Sequence, residues 1–147
     1  MTELVLETFR LNGRLLAAGD ALVGAAGLTA ARWQVLGAIE ISAVPLPVAH
    51  IARNMGLSRQ AVQRLVNEMK DDGLVQFASN PHHQRAKLVI LTARGKAAYK
   101  EAMKRQEPWA GQLARGLSIH QIEAVADMLR TLRQRLEENV DNELDDV

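Results

Sequence analysis

The sequence predicts a mainly α-helical protein with a small β element, an α+β fold, in one domain spanning residues 1–147. Aromatic residues make up only 3% of the chain and hydrophobic residues 48%, so the core must consist mostly of Leu, Ile, Val, Ala and Met. Apolar residues recur every three or four positions along most of the chain, which is the period of an amphipathic helix. Only residues 74–78 and 87–91 have the pattern of short strands.

The first half of the chain predicts three helices in succession. Residues 3–24 form the first, and Gly27 ends it. Thr29 is a suitable N-cap for the second helix. The stretch 44–47 contains two prolines and cannot lie inside a helix, because proline lacks a backbone N–H. Its second proline, Pro47, suits the first turn of a third helix that runs to about Met55.

The C-terminal part predicts two long helices. Thr92 caps one that runs toward Gly116, with Pro108 as a kink or a break. Ser118 begins the last helix with a capping box, since Gln121 occupies the third following position. That helix carries an apolar stripe at spacings of 3, 4, 3 and 4, over two heptads. The stripe consists of Ile122, Val125, Leu129, Leu132 and Leu136.

The composition limits the possible locations and chemistries. The chain contains no Cys, which excludes disulfides, Cys-based zinc sites and thiol redox sensing. No apolar run approaches the ~20 residues of a membrane span. The N-terminus has acidic Glu3 and Glu7 and lacks the basic-then-apolar pattern of a signal peptide. We therefore expect a cytoplasmic protein without a membrane partner.

Charge is distributed unevenly along the chain. The net charge is only +1, yet residues 51–105 contain eleven Lys or Arg against four Asp or Glu, a net of +7. Residues 1–50 carry a net of −1 and residues 106–147 a net of −5. A basic middle with acidic flanks is typical of a segment that faces nucleic-acid phosphates. Chance clustering on solvated helix faces is the alternative explanation.

The segment 47–91 has the order helix, turn, helix, strand, loop, strand, which is that of a winged helix-turn-helix. Ala52 is small where two helices must cross closely, and Gly56 supplies the positive φ that reverses the chain. Val62 is the buried branched residue of the second helix, residues 58–72. A tight corner between two helices in an ordinary helical core would show the same spacing. The two strands and the polar loop that follow favour the winged motif.

The helix 58–72 has one apolar face and one face suited to reading DNA bases. Arg, Gln and Asn can make bidentate contacts with guanine or adenine edges in the major groove. The outward face carries Arg59, Gln60, Gln63, Arg64 and Asn67. Ser58, at the N-terminus of the helix, is placed to hold a phosphate together with free backbone N–H groups. An ordinary solvated face is the alternative, although such faces usually mix Glu and Lys.

The loop 79–86 is the predicted wing. Arg85 is the candidate for entering the minor groove, where charge and groove width attract a guanidinium. His82 and His83 are expected to donate hydrogen bonds to phosphates. Two adjacent histidines without Cys or carboxylates nearby are poor ligand geometry, so we expect no metal.

The helix-turn-helix and the wing, taken together, resemble those of a known family, the multiple-antibiotic-resistance regulators (MarR). The resemblance covers nearly the whole chain, in the runs 28–36, 51–62, 70–75 and 80–95. It implies a homodimer that reads a palindromic operator. The winged helix-turn-helix would span residues 29–95, and residues 1–26 and 96–140 would form the dimerisation helices. It also implies a repressor that responds to a small ligand, often a phenol or an aromatic carboxylate.

Three questions stay open at this stage. The family often has an acidic residue that braces the wing arginine from two positions before it. Here that position is His83, which cannot accept as a carboxylate would, so the resemblance supplies no brace for Arg85. Arg10, Arg14 and Trp33 are candidate ligand-binding residues, because an aromatic ring with cations suits an anionic ring compound. The alternative is that both arginines are ordinary surface residues and that Trp33 is part of the hydrophobic core. A winged-helix module that binds protein instead of DNA is the alternative function.

Enzymatic activity is not expected. The sequence has no nucleophile with a matching base, no metalloprotease motif, no Gly-rich phosphate loop and no paired carboxylates on one helical face. No cofactor is expected for the same reasons.

Overall fold

The computed structural model describes residues 1–83 and 85–145, and the side chains of residues 139–145 are left out of the description. Gln84 of the predicted wing therefore lies outside the described residues. A short 3-10 helix, Gly24–Ala26, follows the first α-helix. The other elements are α1 (Thr2–Val23), α2 (Ala30–Ile41), β1 (Leu46–Pro47), α3 (Val48–Met55), α4 (Arg59–Asp71), β2 (Val75–Ala78), β3 (Leu88–Leu91), α5 (Ala93–Leu113) and α6 (Ile119–Asp145).

The chain forms two compact units, Met1–Pro108 and Trp109–Val147. The first unit contains the hydrophobic core, which α2, α3, α4 and the sheet build almost entirely from aliphatic side chains. Its largest fully buried residues are Leu36, Ile51, Met69, Val23, Val35, Val62, Val66, Val75 and Val89. The predicted aliphatic core and mainly helical fold class are confirmed.

The helix-turn-helix forms at the predicted positions. Ala52 and Val62 are buried, and Gly56 adopts φ 63°, in the left-handed region. This backbone conformation lets the amides of Gly56 and Leu57 return to the end of α3, donating to the carbonyl oxygens of Arg53 at 3.1 Å and Ala52 at 3.0 Å. The turn is closed by these bonds, so α4 leaves α3 in a defined direction.

The sheet has three antiparallel strands in the order β1–β3–β2. The two predicted strands are present, and Val75 pairs with Leu91 while Ala78 pairs with Leu88. The short strand β1 was not predicted, because its prolines argued only against a helix. Leu46 pairs with Val89, which places the residues before α3 against the wing strands.

The start of α5 is locked onto the turn that follows α4. The Thr92 hydroxyl donates to the carbonyl oxygen of Gly73 at 2.6 Å and accepts from the amide of Gly95 at 3.0 Å, as expected of a capping residue. Gly95 lies so close to this turn that an added Cβ would be 2.0 Å from the Leu74 carbonyl oxygen. Only glycine allows this approach of helix and turn.

The later helices follow the predicted boundaries closely. Of the kink or break predicted at Pro108, the break is wrong, because α5 continues through this residue. At the start of α6 the capping box is confirmed, since Ser118 Oγ accepts from the Gln121 amide at 3.2 Å. In return, Gln121 Oε1 accepts from the Ser118 amide at 2.8 Å.

None of the described helices is by itself both long and apolar enough to cross a bilayer. Only the bent pair Thr2–Ala26 and Ala30–Ile41, with 80° between its members, meets the length and composition criteria jointly.

Candidate nucleic-acid interface

The helix α4 is held by its apolar face and by its N-cap. Val62, Val66 and Met69 are fully buried, so the opposite face must point to solvent. The Ser58 hydroxyl accepts from the Ala61 amide at 3.2 Å. Ser58 therefore has a capping role in the free protein, and the remaining N–H groups of the first turn stay available for a phosphate.

The outward face of α4 displays the predicted residues. Gln63 is half-buried. The other four are exposed, namely Arg59, Gln60, Arg64 and Asn67. Gln63 Nε2 donates to Asn67 Oδ1 at 3.0 Å, one helical turn away. This bond holds two amide side chains together on the face, which reduces the freedom they would lose on binding a base.

A groove of about 950 Å³ lies between the N-terminal half of α4 and the wing. It brings together Arg59 and Gln63 of α4 with His82, His83 and Arg85 of the wing. Its described lining residues include no Asp or Glu. Gln60, Arg64 and Asn67 lie outside the groove, on the exposed face beside it. The arrangement presents cations and neutral donors without a nearby carboxylate to repel phosphate.

Two further residues of the groove were missed by the sequence analysis. His50 of α3 and Lys87 at the foot of β3 both line it. Neither lies in the helix or the loop that the motif singles out, and no spacing connects them with Arg59. They are brought to the groove by the pairing of β1 with β3, which sets the start of α3 beside the wing.

The wing loop is closed by Asn80. Its Nδ2 donates to the carbonyl oxygen of Ala86 at 2.9 Å, and its Oδ1 accepts from the His82 amide at 3.0 Å. Arg85 is exposed and makes no ion pair with any described residue. The side chain of Asn80 thus shapes the loop, while the guanidinium of Arg85 stays available to a ligand outside the protein.

An ion pair that the sequence analysis missed ties α4 to α2. Arg32 Nη1 lies 2.8 Å from Asp72 Oδ2, just past the end of α4, and Arg32 Nη2 lies 4.0 Å from Glu68 Oε2. The side chain of Arg32 is only 20% exposed, whereas both acidic partners are about half exposed. The pair links α4 to α2, although partly solvated pairs stabilise by only ~0–1 kcal/mol.

The three candidate ligand residues are not brought together in this chain. Trp33 packs against the core and also lines a cavity between α2, α3 and α5. Arg10 pairs with Glu7 at 3.2 Å on the exposed surface of α1, and Arg14 is exposed on the same helix. Neither arginine lines the cavity. Among the described side chains, those of residues 1–83 and 85–138, no group of three His, Asp or Glu is arranged to hold a metal ion.

Comparison with known proteins places this geometry in a family. A model of the MarR family matches residues 26–86. The chain is 32% identical to an uncharacterised protein of Mycobacterium tuberculosis, over 90% of this chain and 91% of that protein. It is also 30% identical to the transcriptional activatory protein BadR of Rhodopseudomonas palustris, over 71% of this chain and 61% of BadR.

Solved structures give the same result. The M. tuberculosis regulator MosR, solved in complex with DNA, superposes with a TM-score of 0.77 and 25% identity, over 91% of this chain and 96% of MosR. CouR of Rhodococcus jostii, solved with p-coumaroyl-CoA, superposes with a TM-score of 0.76 and 25% identity, over 84% of this chain and 87% of CouR. The chain therefore belongs to the MarR family of DNA-binding transcriptional regulators, which are not enzymes.

Proposed function

We propose that the protein is a homodimeric, sequence-specific repressor that binds a palindromic operator and responds to a small aromatic ligand. The single observation that carries the DNA-binding part is the groove between α4 and the wing. It combines Arg59, Arg85 and Lys87 with His82 and His83, without an acidic described residue. Such a surface attracts a phosphate backbone and orients it along both elements.

The two sides of the groove have different tasks in this proposal. Arg59, Gln60 and Gln63 occupy the N-terminal half of α4, the part of a recognition helix that reaches base edges in the major groove. Arg64 and Asn67 extend the same exposed face. Arg85, on the wing, enters the adjacent minor groove, where narrow A·T-rich segments concentrate negative potential.

Dimerisation is supported by apolar surface that the single chain does not cover. In the second unit, Val125 is 55% exposed and Leu136 is 68% exposed, although both belong to the heptad stripe of α6. In the first unit, Phe9 of α1 is 70% exposed and has exposed leucines beside it. Faces of this kind are expected to pair with a second copy of the chain, because burying each aliphatic side chain contributes ~1.5–3 kcal/mol. Two-fold symmetry would then set the recognition helices about 34–36 Å apart, one turn of DNA.

The regulatory part of the proposal is supported by the relatives. CouR binds an aromatic thioester, and this chain has a cavity behind its DNA-reading helices that includes Trp33. We propose repression because α4 and the wing together cover both grooves of the operator. BadR is named an activator, so the direction is to be measured by transcription in vitro from a promoter that carries the operator. We also propose that the protein is cytoplasmic, because its proposed partner is chromosomal DNA.

The experiment that tests DNA binding is a titration of the purified full-length chain with duplex DNA at several salt concentrations. We expect the logarithm of the binding constant to fall linearly with the logarithm of salt concentration, with a slope of about −0.9 for each phosphate neutralised. Selection from random duplexes should yield a palindrome, and a scrambled version is the control. A salt-independent affinity, or equal affinity for both duplexes, would favour the alternative of a protein-binding winged module.

A further inference from the structure

The two ends of α4 are held by different neighbouring elements. The N-terminal end is closed onto α3 by the turn at Gly56. The C-terminal end leads into a turn whose Gly73 carbonyl oxygen accepts from the Thr92 hydroxyl at 2.6 Å. Among the described residues, Arg32 of α2 is the one side chain from another element that forms an ion pair with this end. All of these residues belong to the first compact unit.

Arg32 reaches two carboxylates at the C-terminal end of α4. Its Nη1 lies 2.8 Å from Oδ2 of Asp72, and its Nη2 lies 4.0 Å from Oε2 of Glu68, four residues earlier. Because the guanidinium is planar and both nitrogens are engaged, the contact defines the direction of α4 as well as a distance. A lysine ammonium would supply a single point. The helix dipole is negative at this end, so a cation is favourable there.

Arg32 is the firmly anchored member of this contact. Its side chain is only 20% exposed, whereas those of Glu68 and Asp72 are 53% and 50% exposed. Its amide donates to Oγ1 of Thr29, the N-cap of α2, at 3.2 Å, and Val35 of the next turn is fully buried. The guanidinium therefore extends from a fixed backbone position, and the end of α4 is the member that is held.

The charges along α4 make its C-terminal end sensitive to DNA. The N-terminal half carries Arg59 and Arg64, which a phosphate backbone attracts. The C-terminal end carries three carboxylates against one ammonium group, so the backbone repels it. These residues are Glu68, Lys70, Asp71 and Asp72. Attraction at one end and repulsion at the other tend to tilt the helix on the DNA. Arg32 opposes the tilt because it holds the repelled end and offsets part of its charge.

A small tilt of α4 is enough to lose base contacts. The helix has 13 residues and is therefore about 20 Å long, so a rotation of about 5° displaces one end by roughly 1.7 Å relative to the other. Hydrogen bonds from Arg59 or Gln63 to a base edge would not survive such a displacement. Attraction to phosphates depends on charge and would survive it. Loss of the contact with Arg32 should therefore reduce sequence discrimination more than overall affinity.

We infer that Arg32 is a positioning residue for operator reading. It does not line the groove between α4 and the wing. It sets the angle at which α4 enters the major groove, and so determines whether Arg59 and Gln63 meet their bases. The inference rests on the proposed DNA binding by α4 and adds a specificity-determining residue on α2, outside the groove.

Two neighbouring carboxylates separate position from charge. Asp72→Asn removes a negative charge together with the nearer partner of Arg32. Asp71→Asn, the matched control, removes the same charge from an exposed residue whose one described ion pair is with Lys70 at 3.9 Å. Affinities of the full-length protein for the selected operator and for its scrambled version are measured at one salt concentration. We expect Asp71→Asn to bind both duplexes slightly more tightly, because repulsion falls. Asp72→Asn should instead lose about three- to tenfold of the preference for the operator.

Substitutions of Arg32 test the same contact from its other side. Arg32→Gln should lose the same preference, and its combination with Asp72→Asn should lose no more than either alone, because one contact is removed. Arg32→Lys should recover part of the preference, since it keeps the charge and loses the second contact point. Arg10→Gln, which breaks the exposed pair with Glu7, is the control for removal of an arginine. Denaturation midpoints identify a variant that fails to fold, and Arg32→Lys with Asp72→Asn then decides the question.

Three results overturn the inference. If Asp72→Asn behaves like Asp71→Asn, charge alone acts at this end of α4 and Arg32 does not position it. If Arg32→Gln loses the preference while Asp72→Asn keeps it, Arg32 contacts the DNA directly. If Arg32→Gln keeps the full preference, the ion pair has no part in reading. Failure of the proposed function is a different result, because the unmodified chain then shows no preference between the duplexes, and the inference falls with it.

Discussion

The helices α4 and α6 have similar sequence patterns and opposite surroundings. Both carry branched apolar residues at three- and four-residue spacing, with charged or polar residues between them. In α4 the apolar face is fully buried at Val62, Val66 and Met69. In α6 the corresponding face is only partly covered, because Ile122 is 43% and Val125 is 55% exposed while Leu129 and Leu132 are half-buried.

The difference shows what amphipathicity does and does not specify. A hydrophobic stripe indicates that a helix needs a partner surface, and its period does not identify the partner. For α4 the partner is the core of the same unit, so its polar face is exposed, and we propose that this face reads DNA. For α6 the proposed partner is a second chain. Its apolar stripe would then determine the distance between the two DNA-binding regions of the dimer and not their internal structure.

The largest expected effect comes from charging the stripe of α6. Val125→Asp with Leu136→Asp changes two residues that are exposed in the single chain, so the fold of one chain should survive. Loss of the second subunit removes the advantage of binding two half-sites together, and operator affinity should fall by about 10²–10⁴-fold. Sedimentation should show a monomer. Gln134→Asp, on the opposite face of the same helix, is the matched control. A dimer that persists in the double variant would contradict the proposal that a second chain covers the α6 stripe.

A smaller effect is expected from the same substitution on the two helices. Met69→Ala deletes a fully buried side chain from the core of the first unit and should lower the free energy of unfolding by about 2–5 kcal/mol. Met128→Ala, on a half-exposed residue of α6, should cost clearly less. Chemical denaturation of both variants at one protein concentration measures the difference. Equal losses would mean that Met128 is as well covered in the assembled protein as Met69 is in the chain.

The smallest effect separates the outward face of α4 from the wing. Arg59→Ala or Gln63→Ala should cost ~1–3 kcal/mol on the operator and blur its sequence preference, because base contacts are lost. Arg85→Ala should weaken binding on many sequences, with less change in preference unless a narrow A·T minor groove is read. Binding constants for operator and scrambled duplexes measure both. Unchanged discrimination in the α4 variants would remove α4 from its role as reading helix.

Several features of the fold were predictable because their cause is local. The caps at Thr29, Ser58, Thr92 and Ser118 follow from side chains that reach back to the first free amides of a helix. The turn at Gly56 follows from a backbone conformation that glycine adopts without strain. The outward residues of α4 were predictable too, since assigning the apolar face to the core leaves one opposite face.

Other features depend on residues that are distant in the chain, and only the tertiary structure decided them. The pairing of β1 with β3 brings His50 and Lys87 to the groove, and no periodicity connects these positions with Arg59. The ion pair between Arg32 and Asp72 joins charges forty residues apart, each of which resembles an ordinary surface charge in the sequence. The sequence left Arg10, Arg14 and Trp33 either as one ligand site or as two surface residues and a core residue, and packing puts only Trp33 at the cavity, among uncharged described side chains. Local chemistry thus determined the elements and their polar faces, whereas the contents of the groove and cavity depended on which helices and strands came to lie side by side.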